Sequence, residues 1–348
     1  MATTKIPRIL LIYTGGTIGM IENAVNHALE PFDFDHLIDN VPKIKMLGYE
    51  IEHVQFATPI DSSSMNPKHW GEIAEVIERH YDSVDGFVVL HGTDTMAYTA
   101  SALSFMLENL RKPVIITGSQ LPIGEVRTDG EENLITALQI AAATDAGGRP
   151  MVREVAILFE HHLWRGNRCI KRSADNFDAF KSNNYPELAS IGLGIHFNRA
   201  SLWRNDSRNM PLKVQYEMDD NLVMLDLFPG ISRKVVEHVL NAPGLKGVVM
   251  KSFGAGNAPA DEWFLDAVRQ TVERGIVVVN ITQCPNGCVH PQLYAAGLNL
   301  AKVGVVSGRD MTSEAAITKL MYLFGRGLSP DKVKEYLNMP LRGEMSAV

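Results

Sequence analysis

Two threonine-bearing segments of this chain carry the residue types needed to cleave an amide. The first reads Thr14-Gly15-Gly16-Thr17, and the second reads His91-Gly92-Thr93-Asp94-Thr95. A threonine hydroxyl attacks a carbonyl carbon once a neighbouring base takes its proton. A lysine serves as that base when burial or nearby charge lowers its pKa toward neutrality, and Lys171 is the candidate. Glycines beside a threonine let backbone N–H groups point at a developing oxyanion, a contribution of about 2.7–4 kcal/mol per donor. Asp94 can orient the lysine or hold a substrate ammonium. Further polar residues gather in Thr58-Pro59-Ile60-Asp61-Ser62-Ser63, in Thr117-Gly118-Ser119-Gln120, and in a polar excursion from Glu160 to Asp175 that contains Lys171. The set suggests acyl transfer and requires neither a metal nor a cofactor.

Each of these segments follows a short apolar run: Ile9–Tyr13, Ile51–Phe56, Phe87–Leu90, Val114–Thr117 and Val155–Phe159. Continuous apolar runs read as strands buried on both faces, as in a parallel sheet covered by helices. In such sheets ligands bind beyond the carboxyl ends of the strands, so five separate loops are expected to meet on one edge. The intervening segments supply the helices. Asn66-Pro67 reads as an N-cap with proline at the first helical position, ahead of the stripe Trp70, Ile73, Ala74, Ile77. Thr95 or Asp94 is placed to cap a helix running to Leu110, and Asp129, Glu131 and Glu132 open another.

The alternation breaks near Asn198–Met218, where residues 203–211 are polar and aperiodic, and resumes at Val223–Leu227, Val248–Met250, Ile276–Asn280 and Val303–Val306. The expected organisation is an α/β protein of two domains. The larger, residues 1–200, is a doubly wound, mostly parallel sheet carrying the catalytic loops. A linker, 201–218, leads to a smaller α/β domain, 219–348.

Composition narrows the function classes. Over 348 residues, 33 Lys and Arg against 40 Asp and Glu leave a net charge of −7, which disfavours a nucleic-acid binder held by phosphate neutralisation. No run approaches the ~20 apolar residues of a membrane helix, and no signal-peptide core is visible, so a cytoplasmic protein without membrane attachment is expected. The three cysteines, Cys169, Cys284 and Cys288, fit a reducing compartment.

Other readings of the same motifs are weaker. The glycines after Thr14 form neither G-x-G-x-x-G nor a P-loop, so nucleotide binding lacks its usual spacing. Cys284-Pro285-Asn286-Gly287-Cys288-Val289-His290 looks like a metal half-site, but no second cysteine pair completes it. His161-His162 lacks the H-E-x-x-H context, and Ser119 lies outside G-x-S-x-G. Lys171 alone would ordinarily be a solvated lysine.

Thr14-Gly15-Gly16-Thr17-Ile18-Gly19 and His91-Gly92-Thr93-Asp94-Thr95-Met96 resemble the two signature segments of the bacterial L-asparaginase family. The similarity extends through Asp61-Ser62-Ser63, Thr117-Gly118-Ser119-Gln120, Arg127-Thr128-Asp129-Gly130, the stretch around Lys171, and Gly254-Ala255-Gly256-Asn257-Ala258-Pro259. It is strongest toward the cytoplasmic (type I) branch. The resemblance implies hydrolysis of L-asparagine to L-aspartate and ammonia through a threonine nucleophile and an acyl-enzyme. It implies Thr14 as that nucleophile, with Thr93, Asp94 and Lys171 as the second catalytic cluster. It places the substrate's α-ammonium on Asp94, its α-carboxylate on Ser62 with Asp61 and Ser63 nearby, and its amide beside Ser119. It also implies a homodimer or homotetramer of intimate pairs, in which Asn257 reaches a neighbour's site.

Two departures accompany the resemblance. Many relatives carry a tyrosine in the loop after the first signature, whereas residues 20–31 here contain none. At an effector site known in some cytoplasmic members, Cys284 matches, but Ile170 and Lys251 stand where those relatives have Thr and Arg. A lysine does not replace an arginine at a carboxylate fork. The rivals are an archaeal tRNA-dependent amidotransferase subunit, a non-catalytic amino-acid-binding protein and a nucleotide-dependent oxidoreductase. The first normally has an additional N-terminal domain, which a first strand beginning by Arg8 is expected to leave no room for.

Overall fold

The computed structural model describes residues 5–22, 29–31, 41–204 and 210–347. The chain divides into two compact units, Met1–Val214 and Gln215–Val348.

In the first unit, the apolar runs become β1 (Arg8–Tyr13), β2 (Glu50–Gln55), β3 (Gly86–Leu90), β4 (Val114–Thr117) and β5 (Val155–Phe159). All five are parallel, in the order β5-β4-β3-β1-β2. Ile9, Leu11, Tyr13, Val88, Leu90, Ile115 and Leu158 pack into one core with Leu134, Leu138 and Ala141. Those last three belong to α3 (Gly130–Ala142). The alternate residues, such as Leu10, Ile12, Val89 and Ile116, point to the opposite face because strand side chains alternate. There α2 (Met96–Met106) covers β4 and β5 and is backed by α1 (Pro67–His80). Helices on both faces explain why these strands read as unbroken apolar runs. β2 is the exception: at the sheet edge none of its residues is buried, and Glu50 and Glu52 both pair with Arg8.

Two local expectations are corrected. Thr95 does sit at the N-cap of α2, but its hydroxyl donates to Ser62 O (2.7 Å) instead of capping the helix. The helix then stops at Met106, because Leu107–Glu108 pairs with Lys213–Val214. The polar excursion after β5 is also more ordered than a loop. His162–Arg165 forms β6, antiparallel to β5, and β7 (Ala189–Ile191) and β8 (Ile195–Phe197) continue the sheet outward. The alternation of a half-solvated antiparallel strand is absent from β6, since Leu163, Trp164 and Arg165 are all buried.

The second unit holds a four-stranded parallel sheet: β9 (Leu222–Asp226), β10 (Gly247–Ser252), β11 (Val277–Thr282) and β12 (Val306–Ser307), in that order. Its core gathers Val248, Met250 and Val278 of the strands with Val236, Leu240, Phe264 and Val268 of the helices Arg233–Leu240 and Glu262–Glu273. The helix Ser313–Gly325 is anchored by a buried ion pair, Lys319 Nζ to Glu344 Oε1 at 2.6 Å. Glu344 also accepts from the backbone N–H groups of Leu341 and Arg342, so neither charge lacks partners.

Candidate active site

The strand order places the topological switch point between β1 and β3: the chain leaves β1 toward β2 on one side, and β3 begins the other side. A crevice forms at that point on the carboxyl edge of such sheets. Thr14 follows β1 directly, and His91-Gly92-Thr93 follows β3.

Thr14 is 1% exposed. Its N–H and hydroxyl both donate to Leu90 O, at 3.1 and 2.8 Å, and its carbonyl accepts from Ile60 N at 2.7 Å. One threonine thereby joins the loops after β1, β2 and β3. Two glycines permit the approach. Gly16 has φ +95°, and a Cβ there would lie 2.5 Å from Gly92 N; a Cβ on Gly92 would lie 2.6 Å from Ser62 Oγ. The gap at Gly16 is closed by Gly92 backbone and admits no side chain, so the two signature segments touch because Gly16 is glycine, while Gly92 leaves room for the Ser62 side chain. Behind them Tyr13 donates to Gly19 O at 2.9 Å, and burial pushes its phenol up to about 12, which keeps it a neutral donor. Among the described residues no ionisable side chain reaches the Thr14 hydroxyl.

The loop after β2 brings Asp61, Ser62 and Ser63. Asp61 caps the short turn Ser62–Ser64 by accepting from Ser63 N at 2.9 Å, and that hydrogen bond holds its carboxyl below the usual range. Ser62 is buried against Gly92, while Asp61 and Ser63 are exposed.

The second cluster is built across a long sequence gap. Lys171 Nζ donates to Thr93 Oγ1 at 2.8 Å and lies 2.6 Å from Asp94 Oδ1. The lysine side chain is 18% exposed and the aspartate 63%, so the pair opens toward solvent on the Asp94 side. Lys171 does not arrive straight from β5. The chain first runs away along β6, turns at Gly166–Arg168 against α2, and returns beside that helix to pair Ile170–Lys171 with Phe180–Lys181.

Three residues to which the sequence assigned no part in the site complete the geometry. Gln120 Oε1 accepts the Thr93 hydroxyl at 3.3 Å, while its Nε2 donates to Asn176 O at 3.0 Å on the Lys171 loop. Asp129, buried at the start of α3, accepts the N–H groups of Gln120 (3.0 Å) and Leu121 (3.2 Å). Burial pushes its carboxyl up, against those donors and Asn133. His91 is fully buried, and desolvation lowers its pKa to about 4. Its Nδ1 faces Gly92 O at 2.7 Å, so Nδ1 carries the proton, and Nε2 accepts from Thr99 Oγ1 at 2.9 Å. Trp70 Nε1 donates to the same hydroxyl at 3.0 Å. This chain pins the backbone that carries Thr93. Only the placement of Gln120, Asp129 and His91 inside recurrent motifs signalled them.

The remaining expected residues lie as follows. Ser119 is buried beside Gln120, its hydroxyl donating to Leu121 O at 2.5 Å. Asn257 belongs to the second unit, where it closes a tight loop with Phe253 through two backbone bonds of 2.8 Å. Residues 23–28 of the tyrosine-less loop lie outside the described residues. Lys251 pairs with Asp226 at 3.0 Å, and Cys284 is exposed. Cys288 Sγ lies 3.0 Å from His290 Nε2, and among the described residues no group of three His, Cys, Asp or Glu could hold a metal.

Several known proteins are similar to this chain over nearly its whole length. L-asparaginase 1 of Escherichia coli (strain K12) is 43% identical over 339 residues, covering 97% of this chain and 98% of its own. A 60 kDa lysophospholipase of Mus musculus is 43% identical over 97% of this chain and 62% of its own length. The crystal structure of L-asparaginase I from Vibrio cholerae superposes with a TM-score of 0.89 at 40% identity, covering 99% of this chain and 100% of that one. Residues 8–203 match the family described as Asparaginase, N-terminal, and residues 221–337 match the Glutaminase/Asparaginase C-terminal domain. With both signatures brought into contact by glycine and both halves matched in order, the chain is an enzyme of the asparaginase family.

Proposed function

We propose that this chain hydrolyses L-asparagine to L-aspartate and ammonia. The observation that carries the proposal is Lys171 bridging Thr93 and Asp94 beside the loop of Thr14. In the reading favoured here, Thr14 Oγ bonds to the side-chain amide carbon. The C–N bond breaks, and ammonia departs with the hydroxyl proton, leaving an ester on Thr14. For this the hydroxyl must leave the Leu90 carbonyl, which is no base. Water then adds to the ester as Thr93 takes the water proton and hands its own to Lys171; as the C–O bond to Thr14 breaks, a proton returns from Lys171 through Thr93 to Thr14 Oγ, and aspartate is released. Asp94 engages Lys171 through Oδ1, which leaves Oδ2 for the substrate ammonium. Ser62, with Asp61 and Ser63 at its rim, receives the α-carboxylate, and Ser119 borders the amide.

A second reading exchanges the threonines. The contact of Lys171 with Thr93, and the lack of a base at Thr14 among the described residues, favours Thr93 as the activated hydroxyl. We further propose a homodimer or homotetramer in which Asn257 completes a neighbour's site. Leu293 and Tyr294, 60% and 53% exposed, supply apolar surface for such a contact.

Ammonia release from asparagine without nucleotide or RNA tests the activity, with lysophosphatidylcholine as the competing substrate. No release overturns it. Hydroxylamine added during turnover should give aspartyl hydroxamate, and mass spectrometry of the quenched enzyme should locate the ester on Thr14; an ester on Thr93 selects the second reading.

A further inference from the structure

We infer that the amino edge of the first unit's sheet holds a second ligand site, for a small molecule carrying a pyrophosphate group. There a cleft of about 650 Å3 is lined by Arg111, Arg149, Arg153, Arg199, Arg204 and Asp145. Its volume falls in the range of small-molecule sites. Arg111 precedes β4, the Asp145–Arg153 segment precedes β5, and Arg199 and Arg204 follow β8. The catalytic threonines stand on the opposite, carboxyl edge, so this cleft is separate from them.

Five arginines and one aspartate line this cleft in a chain whose net charge is −7. Like charges gathered around a cavity repel, and a bound anion relieves that repulsion. Asp145, paired with Arg149 and Arg153, offsets only one of these charges. Its Oδ1 already accepts from Gly147 N (2.8 Å) and Arg149 N (3.1 Å), and its Oδ2 takes Arg149 Nε (3.0 Å) and Arg153 Nη2 (3.2 Å). Those Arg149 bonds hold its carboxyl down to about 2, so it stays charged. What Asp145 does is orient two guanidiniums, whose Nη1 groups have no partner among the described residues. Arg199 and Arg204 are exposed and likewise without an acidic partner there.

The floor is rigid. Trp203 N donates to Glu154 Oε1 at 2.6 Å, Glu154 pairs with Arg165 at 2.6 Å, and both charges are at most 8% exposed. Arg165 also donates to Ser201 O at 2.9 Å, which fixes the segment between Arg199 and Arg204. Every basic group in the lining is an arginine, the side chain whose planar fork binds phosphoryl oxygens in pairs. Several forks around one open cleft suit two linked phosphoryl groups better than one. Leu202 and Trp203 add an apolar wall for the rest of the molecule. The acidic chain favours a small ligand over an RNA strand.

Isothermal titration of the full chain with inorganic pyrophosphate tests this. Saturable binding is expected, weakened at least about tenfold when Arg199→Ala and Arg204→Ala are combined. Arg199→Lys with Arg204→Lys should fall between, since it keeps charge and loses the fork. Circular dichroism melting of each variant should match the parent, because both side chains are exposed. Absence of saturable binding overturns the inference, as does undiminished binding by the double alanine variant. So does citrate binding as tightly as pyrophosphate, or a single-stranded oligonucleotide that binds more tightly and that pyrophosphate fails to displace.

Discussion

The carboxyl edges of the two parallel sheets hold similar residues and use them in opposite ways. In the first unit, Thr14 and Thr93 keep hydroxyls at the crevice, and Lys171 and Asp94 open toward solvent. In the second, the polar groups stitch the strands together. Gln283 Nε2 donates to Asp226 Oδ1 (2.9 Å), Leu227 O (2.5 Å) and Lys251 O (3.0 Å). Thr282 Oγ1 donates to Gly254 O at 2.6 Å, and Lys251 is held by Asp226. Parallel topology supplies an edge in both cases. What sets the first edge apart is glycine contact between loops and a lysine delivered from far along the chain; function resides in the site and not in the fold.

Variants sharpen that contrast. The largest effect is expected for Thr14→Ala, a fall in kcat of about 10^4 or more with asparagine binding still measurable by calorimetry. Substantial residual turnover would remove Thr14 from the chemistry. Lys171→Met should lower kcat by roughly 10^2–10^4 with little change in Tm; unchanged kinetics would return it to the role of a solvated lysine.

The buried His91 predicts an acid-side loss of stability. Its folded pKa, about 4, lies below the ordinary 6.5, so the unfolded chain binds the proton first as pH falls. Its contribution is complete above pH 6.5 and is lost as pH drops toward 4, roughly 3 kcal/mol in all. Denaturant titrations of the parent and His91→Asn across this window should diverge in slope. Parallel curves would mean that the imidazole is not neutral in the fold.

Gln283→Ala probes the stitched edge. It should cost about 1–3 kcal/mol of stability by urea unfolding and leave kcat within about twofold. A kcat loss rivalling that of Lys171→Met would erase the distinction between the edges. The smallest effect is expected for Gln120→Ala, about a tenfold fall in kcat with Tm nearly unchanged. Gln120→Glu, which keeps an acceptor for Thr93, should recover part of it. If Gln120→Glu is as impaired as the alanine, the Thr93 contact is not what Gln120 contributes.

The sequence was most informative where one residue type has one physical use. Buried runs such as Val114–Thr117 read as strands because both faces are apolar, and the polar loops after them were expected to meet on one edge. It was least informative where a residue's partner is remote. Asp129 looked like a helix-opening acid, yet its carboxylate turns back to Gln120 and Leu121. Thr95 looked like a cap, yet Ser62 claims its hydroxyl. In each case a local rule was outbid by a tertiary hydrogen bond of equal or greater strength.

By itself, then, the amino-acid order determined the α/β class, the parallel runs and the two threonine signatures, because these depend on side-chain polarity at short range. Only the tertiary structure decided that β6 carries the chain away and back, so that Lys171 meets a threonine 78 residues earlier. Such a meeting depends on the path of the intervening backbone, and no residue type or spacing encodes that path locally.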